Sequence, residues 1–78
     1  MCEREAIKRV VEIVGSQTLL ADALGHGVRQ ANVATWIIRD GKVSAKHALA
    51  CHLLTRGEVS VHDLRPDLYP KEHIWVRL

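Results

Sequence analysis

Histidine and cysteine side chains form the first of two groups in this sequence with the types and spacing for chemistry. His47 and Cys51 are four residues apart, so on a helix they share one face and could offer two ligands to a metal ion. His52 is adjacent, but no second pair stands at zinc-finger spacing. Cysteine in an apolar helical run is more typical of a buried core residue, and neither Cys51 nor Cys2 lies in a nucleophile loop. We therefore expect no metal, no cofactor and no enzyme activity.

The second group has side chains of the types that hydrogen-bond to nucleic-acid bases. The candidates for base contact are Arg29, Gln30, Asn32 and Thr35. Asn and Gln can pair bidentately with adenine, and Arg can do so with guanine. The flanking residues that suit phosphate oxygens are Gln17, Thr18, Arg39, Lys42 and Lys46. These side chains suit double-stranded DNA as a partner if the elements that carry them place them on one surface.

Composition and charge narrow the class of protein further. The 78 residues suffice for one domain, 47% are hydrophobic and only 4% are aromatic. RNA and single-stranded partners are disfavoured, because few rings are present to stack on bases. The formal net charge is only +2, but between Ser16 and Arg56 five basic side chains face two acidic ones. No apolar run is long enough to span a bilayer and no signal peptide is evident, so we expect a cytoplasmic protein.

Two helices are predicted in the first third of the chain. Helix 1 should run from about Glu3 to Val14, because one apolar stripe recurs there at helical spacing. The stripe consists of Ala6, Ile7, Val10, Val11 and Val14. Gly15 should end this helix and Ser16 should cap helix 2, from about Gln17 to Leu24. Helix 2 should bury Leu20 and Leu24, and the small side chains of Ala21 and Ala23 permit close approach of another helix.

Helix 3 should run from about Arg29 to Arg39, after a turn that contains His26 and Gly27. Its buried stripe is predicted to consist of Val33, Trp36 and Ile37. The opposite face, free for DNA, should then carry Ala31, Thr35 and Ile38, with Asn32 and Arg39 beside them. Asp40 and Gly41 form a turn signal that stops the helix.

Helix 4 is expected from about Ala45 to Thr55, with Ser44 as its cap. The residues that recur on one face of it are Ala45, Ala48, Leu49, His52 and Leu53. Ser60 and Asp63 resemble a capping box for a short helical turn from Val61 to Leu64. Residues 71–78 form a C-terminal arm after the domain of residues 1–70, and alternation of apolar residues from His73 to Leu78 hints at a short strand.

Helices 2 and 3 are short and closely joined, which predicts a helix-turn-helix unit. The supporting pattern is Gln17, Ala21, Gly25, Val33 and Trp36. A small residue is needed where the helices cross, since a larger side chain would push them apart. The alternative is that the two helices are ordinary neighbours in a bundle, but that reading leaves the polar, basic outer face unexplained.

Five segments carry a resemblance to the Cro-like phage repressors and the YdaS-type antitoxins. They are Leu20-Ala21-Asp22-Ala23-Leu24-Gly25, Val33 to Ser44, Leu49 to Thr55, Gly57-Glu58-Val59-Ser60, and Asp63-Leu64-Arg65-Pro66-Asp67-Leu68-Tyr69-Pro70. The resemblance implies an all-α lambda-repressor-like domain of four to five helices. Seven residues lie between Gly25 and Val33, two more than is usual in these families. The lengthened turn leaves open whether Arg29 or Gln30 leads helix 3.

The resemblance implies a transcriptional repressor of Cro type that acts on an operator in its own control region. The alternative is an antitoxin whose main role is to bind a partner toxin, with autoregulatory DNA binding secondary. A homodimer is favoured, because an apolar arm is costly to leave in water and two copies could read a palindromic operator. The residues predicted to dimerise are Ile74, Trp75, Val76 and Leu78.

Overall fold

The computed structural model describes residues 2–25 and 27–69, and its first helix, α1, spans Glu3–Val14. Ala6, Ile7 and Val10 are buried, while the other two stripe residues pack partly buried against the core. Gly15 has a φ of 127°, which side-chain-bearing residues rarely adopt, and its N–H donates to Val11 O at 2.7 Å. The predicted helix and its end are confirmed.

Helix α2 spans Gln17–Leu24, as predicted, and Ser16 caps it. The Ser16 hydroxyl accepts a hydrogen bond from the Leu19 N–H at 3.1 Å, which satisfies one of the donors that a helix start leaves free. Leu20, Ala21 and Leu24 are buried. Ala23 is exposed, so the expectation that it eases helix contact is wrong, because it lies on the opposite side of α2 from the core.

Helix α3 spans Gln30–Thr35 and continues as a π-helical segment over Trp36–Asp40. Gly41, at a φ of 71°, ends the run. The helix begins one residue later than predicted, because Arg29 is extended and the Asn32 side chain accepts its backbone N–H at 2.8 Å. The predicted buried stripe of Val33, Trp36 and Ile37 is confirmed.

The fourth predicted helix consists of a 3-10 turn, Ala45–His47, followed by helix α4, Ala48–Leu54. Ser44 makes no side-chain cap bond, contrary to expectation. The face predicted for helix 4 is only partly the buried one: Ala48, which belongs to it, is buried, but the other buried positions of this region are His47, Cys51 and Thr55. Of that predicted face, Ala45, Leu49 and Leu53 are exposed and His52 is half-buried.

Helix α5 spans Val61–Leu64, and the predicted capping box is present. The Ser60 hydroxyl accepts from the Asp63 N–H and the Asp63 carboxylate accepts from the Ser60 N–H, both at 3.2 Å. Helix α5 packs against α1 and α4, and α2 packs against α1 and α3, around one core. The described residues contain helices and no strand, which confirms the all-α fold. The predicted arm and strand lie outside them.

Candidate nucleic-acid interface

The first residues of α2 and α3 are joined by their side chains. Gln30 Nε2 donates a hydrogen bond to Gln17 Oε1 at 2.6 Å. Gln30 is exposed and Gln17 is half-buried. Each amide keeps polar atoms for other partners, namely the Oε1 and second N–H of Gln30 and the whole NH₂ group of Gln17. The pair therefore orients one predicted base-contact residue and one predicted phosphate-contact residue toward the same region.

Two further base-contact candidates, Arg29 and Asn32, lie at the start of α3, and they differ in whether their side chains already have a partner among the residues that the structure describes. Arg29 is the residue before the helix and is exposed. Asn32 is also exposed, but its Oδ1 accepts the Arg29 backbone N–H. Bidentate pairing of Asn with adenine needs both the amide oxygen and the amide nitrogen. Asn32 is therefore occupied as a cap, and base contact by this residue competes with that role.

The outward face of α3 carries small and apolar groups between its polar ones. Ala31 is exposed and Thr35 is half-buried, and Thr35 Oγ1 donates to Ala31 O at 2.9 Å, which engages the hydroxyl. Ile38 is 78% exposed and lies further along the same face. Ile38 was absent from the candidates for base contact, although its placement opposite Val33 on the helical wheel was the signal that could have found it.

The residues predicted to contact phosphate lie at both ends of this surface. Thr18 is exposed in the first turn of α2, where backbone N–H groups precede the first helical hydrogen bond, from Leu20 N to Ser16 O. Lys42 and Lys46 are exposed beyond the end of α3. Arg39 is exposed too, but it forms an ion pair with Asp40 at 3.0 Å. That pairing reduces the positive charge that Arg39 offers to DNA.

Two arginines that were not among the predicted site residues hold the end of α3 and the loop that follows it. Arg4 Nε donates to Ile37 O at 2.6 Å, and Arg65 Nη1 donates to Val43 O at 3.0 Å. Arg65 also forms a two-pronged ion pair with Asp67, with N···O distances of 3.0 and 2.8 Å. This hydrogen-bonded pair lowers the pKa of Asp67 to about 2 and raises that of Arg65. The Arg-Pro-Asp spacing was the available signal.

Of the histidine and cysteine group, His47 and Cys51 belong to the core. Cys51 is buried, and this burial raises the pKa of its thiol to about 12. His47 is buried with its ring centroid 5.7 Å from that of Trp36. Residues 2–25 and 27–69 hold no cluster of three or more His, Cys, Asp and Glu that could hold a metal ion. In the same part of the chain, no helix has the length and apolar character needed to cross a membrane.

Together, α2, the glycine-containing turn and α3 form a helix-turn-helix unit in an all-α domain of the lambda-repressor-like type. The family model described as "Bacterial toxin YdaS" matches residues 7–73, so the chain belongs to this family. A similar solved structure is the Cro protein from Xfaso 1, described as a prophage element, in Xylella fastidiosa strain Ann-1. It is 36% identical, has a TM-score of 0.73, and the match covers 81% of this chain and 92% of that one. Comparison with curated protein sequences gives no significant match.

Proposed function

We propose that this protein is a sequence-specific DNA-binding repressor of Cro type, without enzyme activity, that acts on an operator in its own control region. The observation that carries the proposal is the hydrogen bond between Gln17 and Gln30. It ties the start of α2 to the start of α3, which is the end of a recognition helix that usually enters the major groove first. The similarity to a prophage Cro protein supports the same role.

Base reading is assigned to the start and the outward face of α3. Gln30 pairs with adenine through its free Oε1 and N–H, and Arg29 pairs with guanine from the position just before the helix. Thr35 and Ile38 supply apolar contact to a thymine methyl group, which a major-groove surface offers only at A·T pairs. Because Asn32 caps the helix, we assign it the weakest contribution to sequence choice among the predicted four.

Phosphate contacts are assigned to the two ends of the unit. The NH₂ group of Gln17, the Thr18 hydroxyl and the free N–H groups at the start of α2 suit one phosphate. Lys42 and Lys46 suit phosphates at the far end of α3. Arg39 contacts phosphate only if its ion pair with Asp40 is replaced by one with a DNA phosphate. These contacts fix the register of the protein on the duplex and carry no sequence information.

A homodimer on a palindromic operator completes the proposal. Two recognition helices about 34 Å apart would enter successive major grooves on one side of the duplex. The arm residues predicted to dimerise lie outside the described part of the chain, and their role stays a prediction. The residues concerned are Ile74, Trp75, Val76 and Leu78.

A gel shift on DNA that flanks the protein's own coding region, repeated across a salt series, tests the function. Specific binding that weakens as salt rises is expected, because each phosphate contact releases counterions. Binding that is equally strong on unrelated DNA of the same length would contradict the proposal. A reporter fused to the same control region then distinguishes repression from activation.

An antitoxin that binds a partner toxin, with DNA binding secondary, is the second candidate. The observation behind it is the family description, which names a bacterial toxin, not an antitoxin, and so supports only a connection of this family with toxin systems. Co-purification of a neighbouring gene product with this chain, together with no specific binding to its own control region, would favour that candidate over the repressor.

A further inference from the structure

The outward face of α4 consists of apolar side chains alone. We name this surface, formed by Leu49, Leu53 and Leu54, the α4 face. Its three leucines are 41, 52 and 38% exposed, in chain order. We propose that the α4 face binds the α4 face of a second copy of this chain. The biological purpose of this contact rests on the proposed function, namely binding of two copies to a palindromic operator.

The polar group of α4 is turned away from this face. His52, the helix's one polar residue, directs Nδ1 to the Val61 N–H at 3.2 Å and so belongs to the junction with α5. The inward side of α4 is apolar as well, since Ala48 and Cys51 are buried. A helix on a protein surface ordinarily has a polar outer side, whereas a helix that is apolar all round is ordinarily buried. This composition indicates that another surface covers the α4 face.

The charges beside the α4 face favour a second copy of this chain as the surface that covers it. Arg56 and Glu58 are both exposed and, with Ile13 and Leu54, line an open hollow of about 410 Å³ at the end of α4. Neither forms an ion pair within residues 2–25 and 27–69. In a two-fold contact the same patch meets itself, which allows Arg56 of each copy to pair with Glu58 of the other. The same chain therefore supplies both the apolar centre of the contact, which is the α4 face, and two opposite charges beside it, Arg56 and Glu58.

The size of the α4 face predicts how the dimer behaves. A stable interface of standard size buries about 800 Å² per partner, and three half-exposed leucines contribute well under that area. Dimerisation is therefore weak and concentration-dependent in solution. Two adjacent half-sites on one operator would raise the effective concentration of the copies and complete the dimer on DNA.

Sedimentation velocity over a concentration series tests the α4 face, with Leu53→Glu as the variant. A buried negative charge at the centre should raise the dimer Kd at least tenfold. Leu19→Glu is the matched control, because Leu19 is also 52% exposed but lies on α2. If Leu53→Glu loses its helical circular dichroism, Leu53→Gln replaces it. Unchanged dimerisation in the folded variant, or a wild-type chain that is monomeric at every concentration, would overturn the proposal.

A charge exchange tests whether the partner is a second copy related by a two-fold axis. Arg56→Glu alone and Glu58→Arg alone each place like charges across the contact and should weaken self-association. An equimolar mixture of the two variants restores both pairs, so heterodimers should outnumber either homodimer. Equal association of all three species would contradict this arrangement. Loss of a neighbouring gene product from Leu53→Glu pull-downs, with self-association intact, would assign the face to a foreign partner instead.

DNA binding is measured separately so that the two proposals can fail independently. Leu53→Glu should bind a single operator half-site as the wild type does, and lose only cooperative binding to the full palindrome. If the wild type binds no DNA specifically while its dimerisation still depends on Leu53, the proposed function fails and the α4 face stands. If cooperativity survives in Leu53→Glu, the α4 face fails and the function stands.

Discussion

The outward faces of α3 and α4 are both exposed, yet they are built from opposite kinds of side chain. On α3 the polar groups are held by hydrogen bonds, as Gln30 is by Gln17 and Asn32 is by the Arg29 backbone. On α4 the outward residues are apolar, and the one polar side chain of the helix bonds to α5. An ordered polar face suits a partner with directional hydrogen bonds, and an apolar face suits close packing without them.

The inward faces differ in the size of their side chains. Helix α3 and its π-helical continuation bury Val33, Trp36 and Ile37, whereas α4 buries Ala48 and Cys51. Large side chains let α3 contribute much of the core while its outer side remains free for polar residues. Helix α4 buries small side chains, and its leucines face outward. Contact with another molecule would therefore bury apolar surface that α4 leaves exposed to water.

The largest expected effect on stability comes from a substitution on the inward side of α3 and its π-helical continuation. Trp36→Ala should lower the free energy of unfolding by about 3–5 kcal/mol, because it removes a buried indole and leaves a cavity. Chemical denaturation followed by circular dichroism measures the loss. Ile38→Ala is the control on the outward side and should change stability by about 0.5 kcal/mol or less. A loss of equal size in both variants would show that the two sides of α3 are not distinct.

Arg65→Met should lower the free energy of unfolding by about 1.5–3 kcal/mol, the usual range for hydrogen bonds to a charged group. Methionine keeps most of the apolar stem but cannot donate to Val43 O or pair with Asp67. Because Arg65 fixes the loop after α3, DNA affinity should fall as well. Arg9→Met, which removes an exposed ion pair with Glu12, serves as the control and should have little effect.

Gln30→Ala should relax discrimination at one base pair by about 1–3 kcal/mol and leave stability unchanged. Competition gel shifts with operators altered at each position measure the discrimination. Leu53→Ser is the matched control from the α4 face, and it should leave binding to a single half-site unchanged. A uniform loss of affinity across all sequences in Gln30→Ala would instead make Gln30 a phosphate contact.

Most of the fold could be predicted from sequence because its signals are local. The bounds of α1 and α2 agree with the structure, since apolar periodicity, Gly15 and the Ser16 cap all lie within a few residues of the ends that they set. The capping box of Ser60 and Asp63 was found for the same reason. The later start of α3 and the missing Ser44 cap bond are local differences, but other features that were missed depend on contacts between distant parts of the chain.

Several of these distant contacts lie within the candidate site itself. The types of Gln17 and Gln30 suggested DNA, but their hydrogen bond joins residues 13 positions apart. Arg4 and Ile37 are 33 positions apart, and no local pattern connects them. The face predicted for helix 4 was only partly right, since leucine at helical spacing resembles a core stripe but α4 buries Ala48 and Cys51 and exposes its leucines.

The smallest expected effect concerns acid, through the carboxylate that pairs with Arg65. The ion pair lowers the folded-state pKa of Asp67 from 3.8 to about 2. A group whose folded pKa is lowered contributes stability that is fully present above its unfolded pKa and is lost as pH falls through the folded value. Thermal unfolding of the wild type should therefore become easier as pH falls from about 5 to 2.

Asp67→Asn separates this contribution from the titration of other carboxylates. The variant lacks the ion pair at every pH, so it should be less stable than the wild type at neutral pH, and the difference in Tm should shrink as pH falls toward 2. The difference should be small throughout, because Asp67 is exposed and water screens its charge. A Tm difference that stays constant from pH 6 to pH 2 would mean that the charge of Asp67 contributes no stability through its ion pair with Arg65.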